Sequence, residues 1–243
     1  MPEQLVFTAF LNRVFGGIAT SLLHMVGLQP AHANAPITNP VAMEILVVLI
    51  LLVFFVAVRA SLSVDKPGSL QHLAEATEEF IADQAHGVMG HGYERYIPYA
   101  VVIGFFILLG NLLGLVPGFE SPTANPTVPL GCALLTFVYY HFHGLRVHRY
   151  KYVKQFIGPL WALSWLILPI EIVSHFARIL SLTVRLYANM FAGDMVTLAF
   201  FSLVPVLVPV AFLGLHLFVS LVQAFIFVML TLVYLGMAVS EEH

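Results

Sequence analysis

Residues 158–240 read GPLWALSWLILPIEIVSHFARILSLTVRLYANMFAGDMVTLAFFSLVPVLVPVAFLGLHLFVSLVQAFIFVMLTLVYLGMAVS. Two apolar segments, 158–203 and 206–240, meet near Pro205. The first is too long for an ordinary span, because about 45 helical residues reach about 68 Å against a hydrocarbon core of about 30 Å. It must break, tilt steeply or project beyond the bilayer, and Pro169 offers a place to kink. Folding the segments back at about residue 205 gives an antiparallel hairpin, in which residues whose numbers add to about 410 share a depth.

The rest of the chain agrees with a membrane setting. Of 243 residues, 60% are hydrophobic and 9% charged, with a mean hydropathy of +0.92. That composition excludes a soluble globular domain. The expected fold is an all-α integral membrane protein, a single domain over 1–243 with about five membrane-embedded helices. Spans fall at 41–60, 97–116 and 128–143, followed by the long, tilted antiparallel hairpin of 158–203 and 206–240. Residues 1–38 form an extracytoplasmic amphipathic segment, with Phe7, Phe10, Leu11, Val14, Phe15 and Ile18 at helical spacing. A cleaved signal over the first 35 residues is the alternative. Within the polar stretch 61–95, Leu70, Leu73, Phe80, Ile81 and Val88 suggest an interfacial helix whose acidic face carries Glu75, Glu78, Glu79 and Asp83. Pro122, Pro126 and Pro129 predict an irregular loop, and 144–155 a basic one.

Placing the C-terminal end of the first span in the cytoplasm puts Arg59, Lys66, Arg95, Arg146, Arg149, Lys151 and Lys154 inside and only Arg13 outside. This predicts an extracytoplasmic N-terminus and a cytoplasmic C-terminus. A net charge of −3 argues against a nucleic-acid partner. Cys132 is the only cysteine, which excludes an internal disulfide and a cysteine-based metal site. His141, His143 and His148 sit among Arg and Tyr at a membrane edge, so no metal or other cofactor is expected, and no Ser–His or Cys–His pair suggests a nucleophile.

Arg185 stands alone in SLTVRLYANMFAGDMV, residues 181–196. A charge at the centre of a span costs about 2.5–3.5 kcal/mol on insertion scales, and arginine cannot shed its proton to escape. Something must face it. At 100° per residue, Arg178, Ser174, Glu171 and Asn189 all fall within about 40° of Arg185, making one polar stripe. Asp194 falls about 180° away. On the second segment His216 and Gln223, seven apart, share a face. The depth rule pairs Asp194 with His216 and sets Arg185 level with the region of Gln223. Each residue also has a plainer reading. Asn189 and Gln223 serve equally as interhelical glue, His216 as a buried hydrogen-bonding group, and Asp194 and Glu171 as packing partners of arginines. As a set, they make two polar compartments on different faces with a permanent cation between them, the layout of an ion path with a central barrier.

SLTVRLYANMFAGDMV followed by LHLFVSLVQAFIFVMLTLVYLGMAV resembles the a subunit of the membrane (Fo) sector of bacterial ATP synthases. GNLLGLVPGFESPTANP adds support. The resemblance implies two long tilted helices packed on a rotating ring of c subunits, with Arg185 facing the ring's ion-binding carboxylate. It implies that Asn189, Asp194, His216 and Gln223 line the inlet and mid-membrane region. Glu171, Ser174 and His175 would lie near the cytoplasmic outlet. Tyr187 and Ala188 stand where Phe and Gly are usual in that family, and Asp194 where Glu is common.

The function expected is therefore a non-catalytic, proton-translocating stator subunit in the cell inner membrane. It would provide two half-channels to the c ring, with peripheral stalk b subunits, the catalytic head and membrane lipid as further partners. A self-contained secondary transporter with a substrate site near Arg185 is the alternative, but it calls for internal repeats and matched broken helices that the sequence lacks. A b-type cytochrome requires paired histidines on facing helices, and His175 and His216 fall at different depths.

Overall fold

The structure is a computed structural model that describes residues 4–25, 35–64, 66–116, 118–149, 152, 164–203 and 207–239. Its helices are α1 (Val6–Met25), α2 (Asn39–Ala60), α3 (Ser69–Met89), α4 (Ile97–Leu113), α5 (Thr127–His148), α6 (Ser164–Leu203) and α7 (Leu207–Val239). Short 3₁₀ turns at Tyr93–Arg95 and Pro122–Ala124 precede α4 and α5. There is no strand among the described residues. By length and composition, α1, α2, α6 over Trp165–Phe200 and α7 over Val210–Val239 can cross a membrane, and α4 is a shorter apolar helix. The fold is that of an all-α integral membrane protein.

α7 is the central post, packed against α3, α4, α5 and α6. Ile103, Ile107, Leu182, Leu186, Met190, Phe227, Val228 and Leu232 form the main core. Gly104 permits the close crossing of α4 on α7, because a Cβ there would lie 2.9 Å from the Val228 side chain.

The two apolar segments do form an antiparallel hairpin. Contacts run in descending order along α7: Arg178 with Tyr234, Asn189 with Gln223, Asp194 with His216 and Phe200 with Phe212. α6 does not break at Pro169: it continues for 40 residues, about 60 Å at 1.5 Å per residue. Near its start, the proline removes one backbone donor, and the helix carries through.

Four expectations change. The third span, drawn at 128–143, is one part of a longer helix, Thr127–His148. It is not among the helices apolar enough to cross by composition, whereas α1 is. The basic loop starts later than 144, because helix continues to His148 and Arg149 then takes a positive φ of 49°. Apart from Tyr152, residues 150–163 lie outside the described residues, as do 26–34 and 204–206, where the fold-back is expected. In α3, Ile81 is buried together with Gln71 and Ala85, whereas Leu70, Leu73 and Phe80 stay exposed. Helix spacing gave the apolar side but not which edge of it meets α4 and α7. The proline-rich connection is ordered rather than irregular. Its 3₁₀ turn lies on α4, where Gly110 and Gly114 leave room for Thr123 and Ser121, and Pro129 sits within α5.

Candidate functional site

The polar residues of α6 divide around a buried seam. Leu182, Leu186 and Met190 are at most 3% exposed and pack with Ala224, Phe227 and Val228 of α7. Asn189 lies on one flank of that seam, beside Arg185, and Asp194 on the other. Each reaches α7 from its own side. The Asn189 amide donates to Gln223 Oε1 at 2.9 Å. Asp194 Oδ1 lies 3.6 Å from His216 Nδ1.

His216 is 5% exposed, and its Nε2 is buried without a hydrogen-bond partner among the described residues. It fits against α6 because residue 193 is glycine: a Cβ there would lie 3.0 Å from its Nδ1 and 3.2 Å from its Cε1. Glu120, in the connection before α5, is within electrostatic reach of Asp194. Deeper on α4, Asn111 is fully buried. Its Oδ1 accepts from the Thr123 hydroxyl at 2.6 Å, and its amide points to the Ser220 carbonyl on α7 at 3.4 Å. Ser121 Oγ completes the cluster, 2.7 Å from Thr123 Oγ1 and 3.0 Å from the Gly110 carbonyl oxygen.

Arg185 is half-buried, and among the described residues its guanidinium reaches only Ser181 Oγ, at a long 3.4 Å. Among the described residues no carboxylate lies within ion-pairing distance of it. It sits at the border between the seam and a broad apolar face where Val173, Phe176, Leu180, Val184, Phe191, Met195 and Leu198 are exposed.

Toward the start of α6, Glu171 and His175 pair at 3.3 Å between Oε1 and Nε2. On the other side of the ring, Tyr140 Oη lies 3.0 Å from His175 Nδ1. Arg178 stacks 5.2 Å above the Tyr234 ring. Together with Tyr152 these residues line a cavity of about 40 Å³, more than the ~10–15 Å³ that one water needs. Tyr152, outside the spans, has its phenol pushed up to about 12 by burial, with Arg178 opposing, so it remains a neutral hydroxyl at physiological pH. Ser174 is half-buried and makes no side-chain hydrogen bond among the described residues. No group of three or more His, Cys, Asp or Glu among the described residues is placed to hold a metal ion.

The sequence-predicted residues thus gather at three stations: Asp194 with His216, Arg185 near Asn189 and Gln223, and Glu171 with His175. Sequence reasoning missed Glu120, Asn111, Thr123, Tyr140, Tyr152 and Tyr234. Asn111 carried a signal, being a lone amide in an apolar span. The tyrosines carried none, because aromatic residues are common at membrane edges.

Residues 41–236 match the family described as ATP synthase A chain. The chain is similar to ATP synthase subunit a of Koribacter versatilis, 58% identical over 244 residues and covering all of both chains. The counterpart in Solibacter usitatus is 45% identical, covering 96% of this chain and 99% of that one. That of Geotalea uraniireducens is 35% identical, covering 89% and 94%. With its hairpin, its lone arginine and this extent of similarity, the chain belongs to the ATP synthase A chain family.

Proposed function

We propose that this chain is the non-catalytic, proton-translocating stator subunit of the ATP synthase membrane sector. In this reading Arg185 faces the ion-binding carboxylate of a rotating c-subunit ring. One observation carries it: Arg185 has no carboxylate partner among the described residues, yet it borders the exposed apolar face of α6. A permanent cation in that setting calls for an anion from outside the chain, and an apolar membrane partner covering the face can bring one.

Protons enter by the Asp194–His216 station, with the buried Asn111 network behind it, and neutralise the ring carboxylate. The neutral site can pass through lipid, where a charged one would cost several kcal/mol. After most of a turn it comes to the Glu171–His175 station and releases its proton toward the cytoplasm. Arg185 attracts the deprotonated carboxylate and, being unable to give up its own proton, blocks a direct leak. The seam of Leu182, Leu186 and Met190 supports this separation, because Asn189 beside Arg185 lies on one flank of it and Asp194 on the other. The driving force is about 2.3 kcal/mol per charge per 100 mV, plus the pH gradient. Rotation is passed to a catalytic head, with peripheral stalk b subunits holding the stator. The chain sits in the inner membrane, N-terminus outside and C-terminus in the cytoplasm.

The test is ATP-driven acidification of vesicles containing the whole complex. Arg185→Ala is expected to abolish pumping, with an added passive proton leak. Pumping at the parental rate would overturn the assignment.

A further inference from the structure

We infer that Tyr140, on α5, is a positioning residue that holds the His175 ring in a single tautomer, with its Nε2–H turned to Glu171. This deepens the reading of Glu171 and His175 as the outlet and rests on it. Neither composition nor helical spacing points to Tyr140; the geometry of three helices meeting does.

The ring of His175 is 8% exposed and held from both sides, by Tyr140 Oη at 3.0 Å from Nδ1 and by Glu171 Oε1 at 3.3 Å from Nε2. Tyr140 is 2% exposed, so bulk water does not compete for its hydroxyl. Arg178 is within electrostatic reach of the Tyr140 oxygen. A guanidinium has five donors and no acceptor. The Tyr140 oxygen therefore turns its lone pairs to Arg178 and its hydrogen to His175 Nδ1. A ring nitrogen that accepts carries no proton, so the neutral ring bears its hydrogen on Nε2, facing the carboxylate. Donors then point one way, from the cation Arg178 through Tyr140 and His175 to the carboxylate of Glu171, along the wall of the ~40 Å³ cavity. Among the described residues, the other charged or titratable groups facing the ring are His141 on α5, at 4.7 Å between ring centroids, Tyr152, and Tyr234 on α7.

With Nδ1 occupied by the Tyr140 hydroxyl, His175 presents its Nε2–H to Glu171. Glu171 is left as the group that exchanges protons with the cavity, and His175 as its fixed donor. Without the hydroxyl, Nδ1 loses the donor that fixes this tautomer, and at acidic pH the ring can hold a hydrogen on each nitrogen, an imidazolium locked to Glu171 that closes the station.

The test is ATP-driven acidification of vesicles holding the whole complex, followed against pH on the outlet side and normalised to ATP hydrolysis in the same vesicles. Tyr140→Phe is expected to move the acid limb of the profile upward by about one pH unit, with about threefold or greater loss near pH 6 and less than twofold near pH 8. Adding His175→Gln, whose amide keeps a donor for Glu171 but cannot take a proton, is expected to return the acid limb to its parental position. A uniform loss at every pH, an unchanged profile, or failure of His175→Gln to restore it would overturn the tautomer assignment. Parental pumping by Arg185→Ala would overturn the outlet reading beneath it. Loss in Arg185→Ala with a parental Tyr140→Phe profile removes the tautomer assignment alone.

Discussion

Gly193→Ala separates stability from function at the proposed entry station. The added Cβ would lie 3.0 Å from His216 Nδ1, 3.2 Å from Cε1 and 3.6 Å from Cγ. Ordinary contact begins near 3.5 Å, so the imidazole has to retreat by several tenths of an ångström. Asp194 now lies 3.6 Å from His216 Nδ1, and such a retreat carries the pair past ~4 Å, where a charge-assisted contact no longer holds. Two energies oppose each other in the fold. Alanine is favoured over glycine in a helix by about 1 kcal/mol, while crowding a packed ring costs about 1–3 kcal/mol. The net change is a loss of at most ~2 kcal/mol, too small to prevent assembly. Gly214→Ala on α7 is the control, since a Cβ there meets nothing within 4 Å and only the helix preference changes. In vesicles of the whole complex, Gly193→Ala is expected to lower pumping about three- to tenfold at near-parental subunit content, with Gly214→Ala within twofold of parent. Equal pumping by the two variants would refute the claim that the seat of His216 against residue 193 sets its distance to Asp194.

Asn189→Ala and Gln223→Ala each leave one side-chain amide without its 2.9 Å partner. A double-mutant cycle on thermal inactivation of the purified complex should give a coupling of about 1 kcal/mol. Thr123→Val removes the 2.6 Å donor to fully buried Asn111; a loss of about 1–3 kcal/mol is expected in the same assay, against a smaller loss for Thr127→Val, whose 2.7 Å bond to Asn125 Oδ1 is exposed to solvent. Gly144→Ala would set a Cβ 2.5 Å from the Tyr152 ring and 3.1 Å from the Ala238 carbonyl oxygen, forcing the tyrosine out of its seat. The phenol that burial pushes up to about 12 should then ionise near ~10, read as phenolate absorbance. The sign follows from the raised value. Below about pH 10 the phenol is neutral whether folded or unfolded and its contribution is intact; between there and about 12 only the unfolded chain ionises, and the contribution is lost.

The hairpin was legible because its two segments carry their own ruler. A fixed rise per residue turns a fold-back point into paired depths, and Asp194 with His216 and Asn189 with Gln223 fall where that ruler puts them. The angular separation of Asp194 from Arg185 was legible for the same reason, since it depends on one helix alone. What escaped depends on several helices meeting. Tyr140 matters because α5 brings it to His175, and Asn111 because the 3₁₀ turn Pro122–Ala124 folds onto α4. No periodicity in either helix announces the partner. In α3, spacing revealed an apolar side, but the buried residues Gln71, Ile81 and Ala85 lie along one edge of it, chosen by where α4 and α7 stand.

The four contacts between α6 and α7 resemble the cuts of a key. Arg178 with Tyr234, Asn189 with Gln223, Asp194 with His216 and Phe200 with Phe212 differ in chemistry, so none can substitute for its neighbour. Sliding one helix past the other by a single turn, about 5.4 Å, would mismatch all four at once. A sideways load applied to α6 at one depth is therefore shared over some 22 residues, about 33 Å of helix, between positions 178 and 200. The hairpin gives way as a whole or not at all, a mechanical property suited to the stator role proposed for it.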